Sequence, residues 1–370
     1  MVKLGDICII NMGQSPDSAT YNETGDGIPF FQGNADFGQL HPKVRIWCNS
    51  PTKIANQDDI LISVRAPIGA LNIASGRCCI GRGLAALTVD KHLCNQKYLW
   101  YALECKVDEL NSKGTGSTFK AINKKILSET EIPLPTLDEQ RRIAAVLDKV
   151  SGLIAKRREQ LDKLDELVKA RFMEMFGEEN TNITAEDACA IIVDCPHSTP
   201  KYIGEDKIYP AIRTSEIKNG QIDWTSMLYV DVEEYKQRTK RLVPVAGDIV
   251  YAREGTYGDC VILPEQYKFC LGQRTMLFRP NYNVCTSEYL HQVLRSDAVK
   301  RQADESNAGS TVPHVNVADA KKFTFPLPSL EKQKVFSNFV VLTNKSKLTI
   351  QQSLDKLEVL KKALMQQYFG

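Results

Sequence analysis

The chain has 370 residues, 47 Lys plus Arg against 45 Asp plus Glu, and 43% hydrophobic residues, which excludes a disordered or collagenous chain and allows two to three domains of about 100–200 residues each. No apolar run reaches the roughly 18 residues needed to cross a bilayer, and MVKLGDICII lacks a basic stretch leading into a signal core, so a cytoplasmic protein with no membrane partner is expected. The 11 cysteines are odd in number and form no C-x-x-C pair, so they read as reduced, mostly buried thiols, with Cys78-Cys79 packing inside a strand.

In chain order, residues 59–64 read as a strand entered from a turn, Ile73 continues the sheet after a loop, and residues 96–103 form a short helix. From about 137 to 176 apolar residues recur at helical spacing: Ile143, Val146, Leu147, Val150, Leu153, Ile154, Leu161, Leu164, Val168, Phe172 and Met175. Pro133 and Pro135 precede this helix, Thr136 offers an N-cap oxygen with Glu139 three residues on, and Gly177 lies just past its end. At 1.5 Å per residue it would be about 60 Å long, and Gly152 would permit a bend. Residues 247–252 predict a second strand like the first, followed by Val261-Ile262-Leu263 and a short helix over 287–294. A second long helix, from about 330 to 369, keeps the stripe at Phe336, Phe339, Val340, Ile350, Leu354, Leu357, Leu360, Leu364 and Tyr368. Thr343, Ser346 and Lys347 replace Val150, Leu153 and Ile154 in its middle.

These elements form an internal repeat. Leu134-Pro135-Thr136-Leu137 recurs as Leu327-Pro328-Ser329-Leu330, Gln140 as Gln333, Leu161-Asp162-Lys163-Leu164 as Leu354-Asp355-Lys356-Leu357, and Phe176-Gly177 as Phe369-Gly370, all offset by 193. Gly116-Ser117-Thr118 and Asn123 match Gly309-Ser310-Thr311 and Asn316 at the same offset. Gly81 matches Gly272, Asp59-Ile60 matches Asp248-Ile249, and Arg65 matches Arg253 at shorter offsets, so short insertions lie in surface loops. Two long amphipathic helices most simply bury their stripes on each other as a coiled-coil pair, with their apolar residues as core.

Catalytic motifs do not account for this organisation. Gly114-Thr115-Gly116-Ser117-Thr118 lacks the lysine of a phosphate loop. There is no H-E-x-x-H or Cys/His cluster for a metal and no G-x-S-x-G elbow. The chain contains no Pro-Pro, which the tetrapeptide of an amino-methylating enzyme needs. Asp58-Asp59, echoed by Asp248, fits a turn before a strand better than a nuclease centre. A non-catalytic recognition module follows. Two diverged copies of one binding domain held by paired helices form a caliper, suited to double-stranded DNA with two different half-sites about 34–36 Å apart per helical turn. Charge gives no basic block: residues 1–135 carry 14 basic against 13 acidic, and 178–325 carry 17 against 21. A polyanion would therefore be held by local clusters or with the help of partners.

The residues also resemble a family. Leu134-Pro135-Thr136-Leu137-Asp138-Glu139-Gln140 leading into a long helix that ends in Met175-Phe176-Gly177, with Gly13-Gln14-Ser15-Pro16 opening the first half and Asp194-Cys195-Pro196-His197-Ser198-Thr199-Pro200 the second, is similar to the specificity subunit of type I restriction-modification systems. The resemblance covers the whole chain in order. It implies an α+β fold of two repeated mixed α/β target-recognition domains separated by two long antiparallel helices: residues 1–133 and 178–326 for the domains, 134–177 and 327–370 for the helices. It further implies assembly with two methyltransferase subunits, which carry S-adenosylmethionine and methylate adenine, and with restriction subunits that use ATP and Mg and cleave. No cofactor is then expected in this chain. Glu331-Lys332-Gln333 departs from Asp138-Glu139-Gln140 by placing the acid one residue earlier, which predicts a different cap for the second helix.

Base reading needs Arg, Lys, Asn or Gln carried on loops, and phosphate positioning needs further donors. The candidates are residues in matched loops: Arg65 and Arg253 after the strands, Arg82 and Arg274 beside the glycines, and Ser117, Thr118, Ser310 and Thr311. Lys43, Lys120, Lys124 and Arg213 are added for charge, and His314 for its place between a Gly-rich loop and a strand. Each has a structural alternative; a matched Arg serves equally as an ion-pair partner. The rival functions are a coiled-coil scaffold presenting two protein-binding domains without DNA, and a self-sufficient enzyme.

Overall fold

Asp58, at a φ of 70°, turns the chain into Ile60–Ser63, the strand anticipated after the acidic pair. The Asp59 carboxylate closes that turn by accepting from Asn56 N at 2.8 Å, and Asp248 does the same for Val245 N at 2.8 Å in the second half. The computed structural model describes residues 1–116, 120–179, 181–204, 207–255, 257–306 and 314–370. It divides into two units, Met1–Glu159 with Gln351–Gly370, and Gln160–Ile350.

In the first unit, β1 (Cys8–Met12), β2 (Ile60–Ser63), β3 (Leu71–Ile73) and β4 (Leu84–Val89) form an antiparallel sheet in the order β1-β4-β2-β3. Ile60 and Ile62 pack on one face against Tyr98 and Leu99 of α1 (Gln96–Cys105), while Leu61 packs on the other with Phe31, Ile80 and Leu84. Burial on both faces explains why this strand is a continuous apolar run rather than an alternating one. A second, mixed sheet of five short strands includes Ile28–Phe31 paired parallel to Cys78–Ile80. From this unit the chain enters α2 (Leu137–Phe176), unbroken through Gly152.

The second unit repeats the plan. Its β5 (Cys189–Asp194), β6 (Ile249–Ala252), β7 (Cys260–Ile262) and β8 (Thr275–Pro280) stand in the equivalent order β5-β8-β6-β7. They pack on α3 (Ser287–Leu294), and the chain ends in α4 (Leu330–Phe369).

Each long helix is divided between the units, and within each unit the halves pair antiparallel. In the first, Arg158 meets Glu358 at 2.7 Å, and Ile143 and Leu147 share a core with Met365 and Phe369. In the second, Lys347 meets Asp165, and Phe172 and Phe176 stand edge-on to Phe336 with ring centroids 5.6 and 5.5 Å apart. Not every stripe residue is core: Leu153 and Leu360 are 39% and 45% exposed, because the paired faces are narrower than the apolar stripe.

The two helix starts are alike, contrary to the expectation from the shifted acid. Thr136 Oγ1 accepts from Glu139 N and Ser329 Oγ from Lys332 N, both at 3.4 Å. The return half of the anticipated capping box is missing, since Glu139 is held by Arg142. What both copies share is a buried glutamine. Gln140 accepts from Asn95 N at 2.8 Å and donates to the carbonyls of Leu93 and Pro135. Gln333 accepts from Thr286 N at 2.9 Å and donates to those of Val284 and Pro328. All 11 cysteines are free thiols, ten of them buried, and burial pushes Cys8, Cys78 and Cys94 up to about 12.

Candidate nucleic-acid interface

The loops that carry most of the candidates converge on one end of each four-stranded sheet. In the first unit, Gly13 N donates to Leu84 O at 2.9 Å, Val64 N to Gly83 O at 2.9 Å, Ile122 N to Val64 O at 2.9 Å, and Ala66 N to Lys120 O at 3.0 Å. A Cβ on Gly13 would stand 2.1 Å from Gly81 O, so only glycine lets these turns touch. Ser15 Oγ accepts from Arg82 N and Gln32 Nε2, each at 3.3 Å. Arg65, Arg82 and Lys120 are thereby held together on one rim, all three exposed.

The second unit builds the same rim with different side chains. Cys195 N donates to Thr275 O at 3.1 Å, Arg253 N to Arg274 O at 2.9 Å, Val315 N to Arg253 O at 3.1 Å, and Gly272 N to Ile212 O at 2.7 Å. This pattern makes Arg253 the equivalent of Val64, not of Arg65. Arg65, bridged to Ala121, corresponds to Glu254, bridged to His314. Likewise Gly83, not Arg82, corresponds to Arg274. The expected pairing of arginines is one residue out at each place: it needs offsets of 188 and 192, whereas the backbone carries the 189 of Asp59/Asp248 and the 191 of Gly81/Gly272 unchanged into these loops.

Arg253 is buried. It is paired with Asp194, donates from Nε to Val315 O at 2.9 Å and from Nη2 to His314 Nε2 at 2.6 Å. Arg274 is exposed, with Nε 3.0 Å from Glu254. Arg213 lies against Gly272, where a Cβ would stand 2.5 Å from its Cγ, and its guanidinium is bound to the buried Glu216, which holds it above its ordinary range. Lys43 is exposed on a segment held by its own N–H to Asp36 O at 2.8 Å, and Lys124 is the exposed first residue of a short helix. Ser117, Thr118, Ser310 and Thr311 lie outside the described residues.

Three residues that sequence reasoning missed hold these loops. Arg238, buried, donates to the carbonyls of Leu271, Ser198 and Pro196 at 2.9, 3.1 and 3.3 Å and so pins the Cys195–Pro200 turn. Gln273 Nε2 reaches Thr199 Oγ1 at 2.7 Å. Glu254 joins Arg274 to His314. Arg238 sits in a charged helical stretch, VEEYKQR, where nothing in the sequence marks it as buried. Among the described residues no three His, Cys, Asp or Glu side chains come together in a way that could hold a metal ion, and no helix is long and apolar enough to cross a membrane.

Comparison with known proteins agrees with this architecture. The model of the type I restriction modification DNA specificity domain matches residues 1–165 and again 192–359. The type I restriction enzyme MjaVIII specificity subunit of Methanocaldococcus jannaschii is 22% identical over 334 residues, 82% of this chain and 78% of that protein. A second protein of that organism, provisionally the MjaX specificity subunit, is 42% identical over 160 residues, but the aligned part is only 38% of its length. The crystal structure of a type I restriction-modification S subunit from M. genitalium superposes with a TM-score of 0.59 at 15% identity, covering 100% of this chain and 95% of that one, a likeness of fold.

Proposed function

The chain belongs to the type I restriction modification DNA specificity family, and from that premise we propose that it is a non-catalytic subunit that binds a two-part, asymmetric site in double-stranded DNA. In this reading it directs adenine methyltransferase and restriction subunits to that site in the cytoplasm. S-adenosylmethionine, ATP and Mg belong to those partners. The observation that carries the reading is the duplicated rim: one backbone framework presents Arg65, Arg82 and Lys120 in the first unit and Arg274 in the second. A shared scaffold with unlike side chains suits two unlike half-sites.

The test is co-expression with candidate modification subunits, followed by mapping of methylated adenines on plasmid DNA with and without this chain. Methylation confined to one two-part sequence, and lost without the chain, is the expected result. Unchanged methylation despite a confirmed complex would favour a scaffold that presents protein-binding domains.

A further inference from the structure

Arg274 has a φ of 62°, in the left-handed region that L-residues with long side chains avoid. The other two described non-glycine residues with positive φ are Asp58 and Asn219, types whose short polar side chains tolerate it. A strained backbone persists where the surrounding structure needs the residue in place. Here the side chain is 66% exposed, yet it is not loose: its Nε lies 3.0 Å from Glu254 Oε2. The other oxygen of Glu254 accepts from His314 Nδ1 at 3.0 Å, and His314 Nε2 accepts from Arg253 Nη2 at 2.6 Å. Arg253 is anchored in turn by Asp194 and by Val315 O. The relay thus runs from a buried ion pair to an exposed guanidinium whose Nη atoms have no partner among the described residues.

We propose that Arg274 reads a guanine in the half-site bound by the second unit, with Glu254 and His314 as its positioning residues. The proposal rests on the DNA-specificity reading above. Two parallel N–H groups of a guanidinium match O6 and N7 of guanine in the major groove, which no other base pair offers. Fixing Nε beforehand removes side-chain freedom that would otherwise be lost on binding. The first unit has none of this relay. Val64, Arg65, Gly83 and Ala121 stand where Arg253, Glu254, Arg274 and His314 stand in the second. Of its two exposed rim arginines, Arg65 enters from the position that Glu254 occupies and Arg82 from that of Gln273, so the two units address their half-sites from different positions of one framework.

The assembled methyltransferase, with its modification subunits, is the protein to test, on a plasmid library in which both half-sites are randomised. For Arg274→Ala the expected result is a loss of about ten- to a hundredfold discrimination at a single G·C pair of one half-site, with the other half-site unchanged. Arg274→Gly should show the same loss while Tm stays level or rises, because glycine adopts this φ without strain. A purely structural arginine would not separate the two. Arg274→Lys should rescue only in part, since an ammonium can still reach O6 and N7 but lacks the planar fork and the Nε that Glu254 holds. Glu254→Gln, which keeps one acceptor of two, should relax the same pair more weakly. Unchanged discrimination in Arg274→Gly, relaxation at an A·T pair, or loss at both half-sites with a lowered Tm would overturn the proposal. Wild-type methylation that ignores this chain would instead overturn the reading beneath it.

Discussion

Gln140 and Gln333 are each fully buried, and each hydrogen-bonds three backbone groups. One acceptor takes the N–H of the residue that caps α1 or α3, and two donors take carbonyls from the loop before that helix and from the proline before α2 or α4. The side chain therefore locks each long helix to its own domain. Gln140→Leu keeps the volume but strands one buried N–H and two carbonyls. At about 1–3 kcal/mol for a buried polar group left unpaired, and with relaxation and water rescuing some of them, the expected loss is about 2–4 kcal/mol. Gln333→Leu should cost the same, measured by urea unfolding of each variant. A change below about 0.5 kcal/mol in either would mean that the glutamine is a passenger of the repeat rather than its lock.

At the scale of elements, the second unit carries Lys347 at the repeat position where the first has the buried Ile154. Lys347, whose side chain is 13% exposed, meets Asp165, 40% exposed, and Thr343 turns its hydroxyl back to Phe339 O at 2.8 Å. Removing one partner of a mostly buried pair is costly, whereas replacing both by apolar groups can be neutral. Asp165→Ala should destabilise by about 1–2 kcal/mol, discounted because Asp165 remains partly in water. Asp165→Leu with Lys347→Leu should restore stability or exceed it. If the double variant is worse than the single one, the pair supplies net attraction rather than avoiding a buried lone charge. The helices themselves were legible from a 40-residue stripe bounded by prolines and glycine, and of each four-stranded sheet the strand entered from an acidic turn, Ile60–Ser63 and Ile249–Ala252, with the short strand after it. Arg253 and the equivalence of the rims were not. A guanidinium in an ion pair and one facing DNA look alike in sequence, and matching arginine to arginine shifts each rim by one residue from the offsets of its own anchors, Asp59/Asp248 and Gly81/Gly272, which the backbone hydrogen bonds keep.

For the molecule as a whole, a charge of +2 means that any attraction to DNA comes from where cations are left unpaired. The two rims differ sharply in this respect. The second internalises Arg253 and commits Arg213 to Glu216, leaving Arg274 half-committed to Glu254. The first exposes Arg65, Arg82 and Lys120, none of which forms a salt bridge among the described residues. Phosphate contacts release counterions, so the logarithm of affinity falls with the logarithm of salt by about 0.9 per phosphate neutralised. In the assembled complex, changing Arg65, Arg82 and Lys120 together to Gln should lower that slope by about 3 if each meets one phosphate. Arg253→Gln should leave the slope unchanged while reducing stability. Binding to duplex DNA across a range of KCl concentrations measures both. A triple variant with the wild-type slope would remove the first rim from the DNA interface, and a wild-type complex with no slope at all would remove DNA, leaving two protein-binding domains on a helical scaffold.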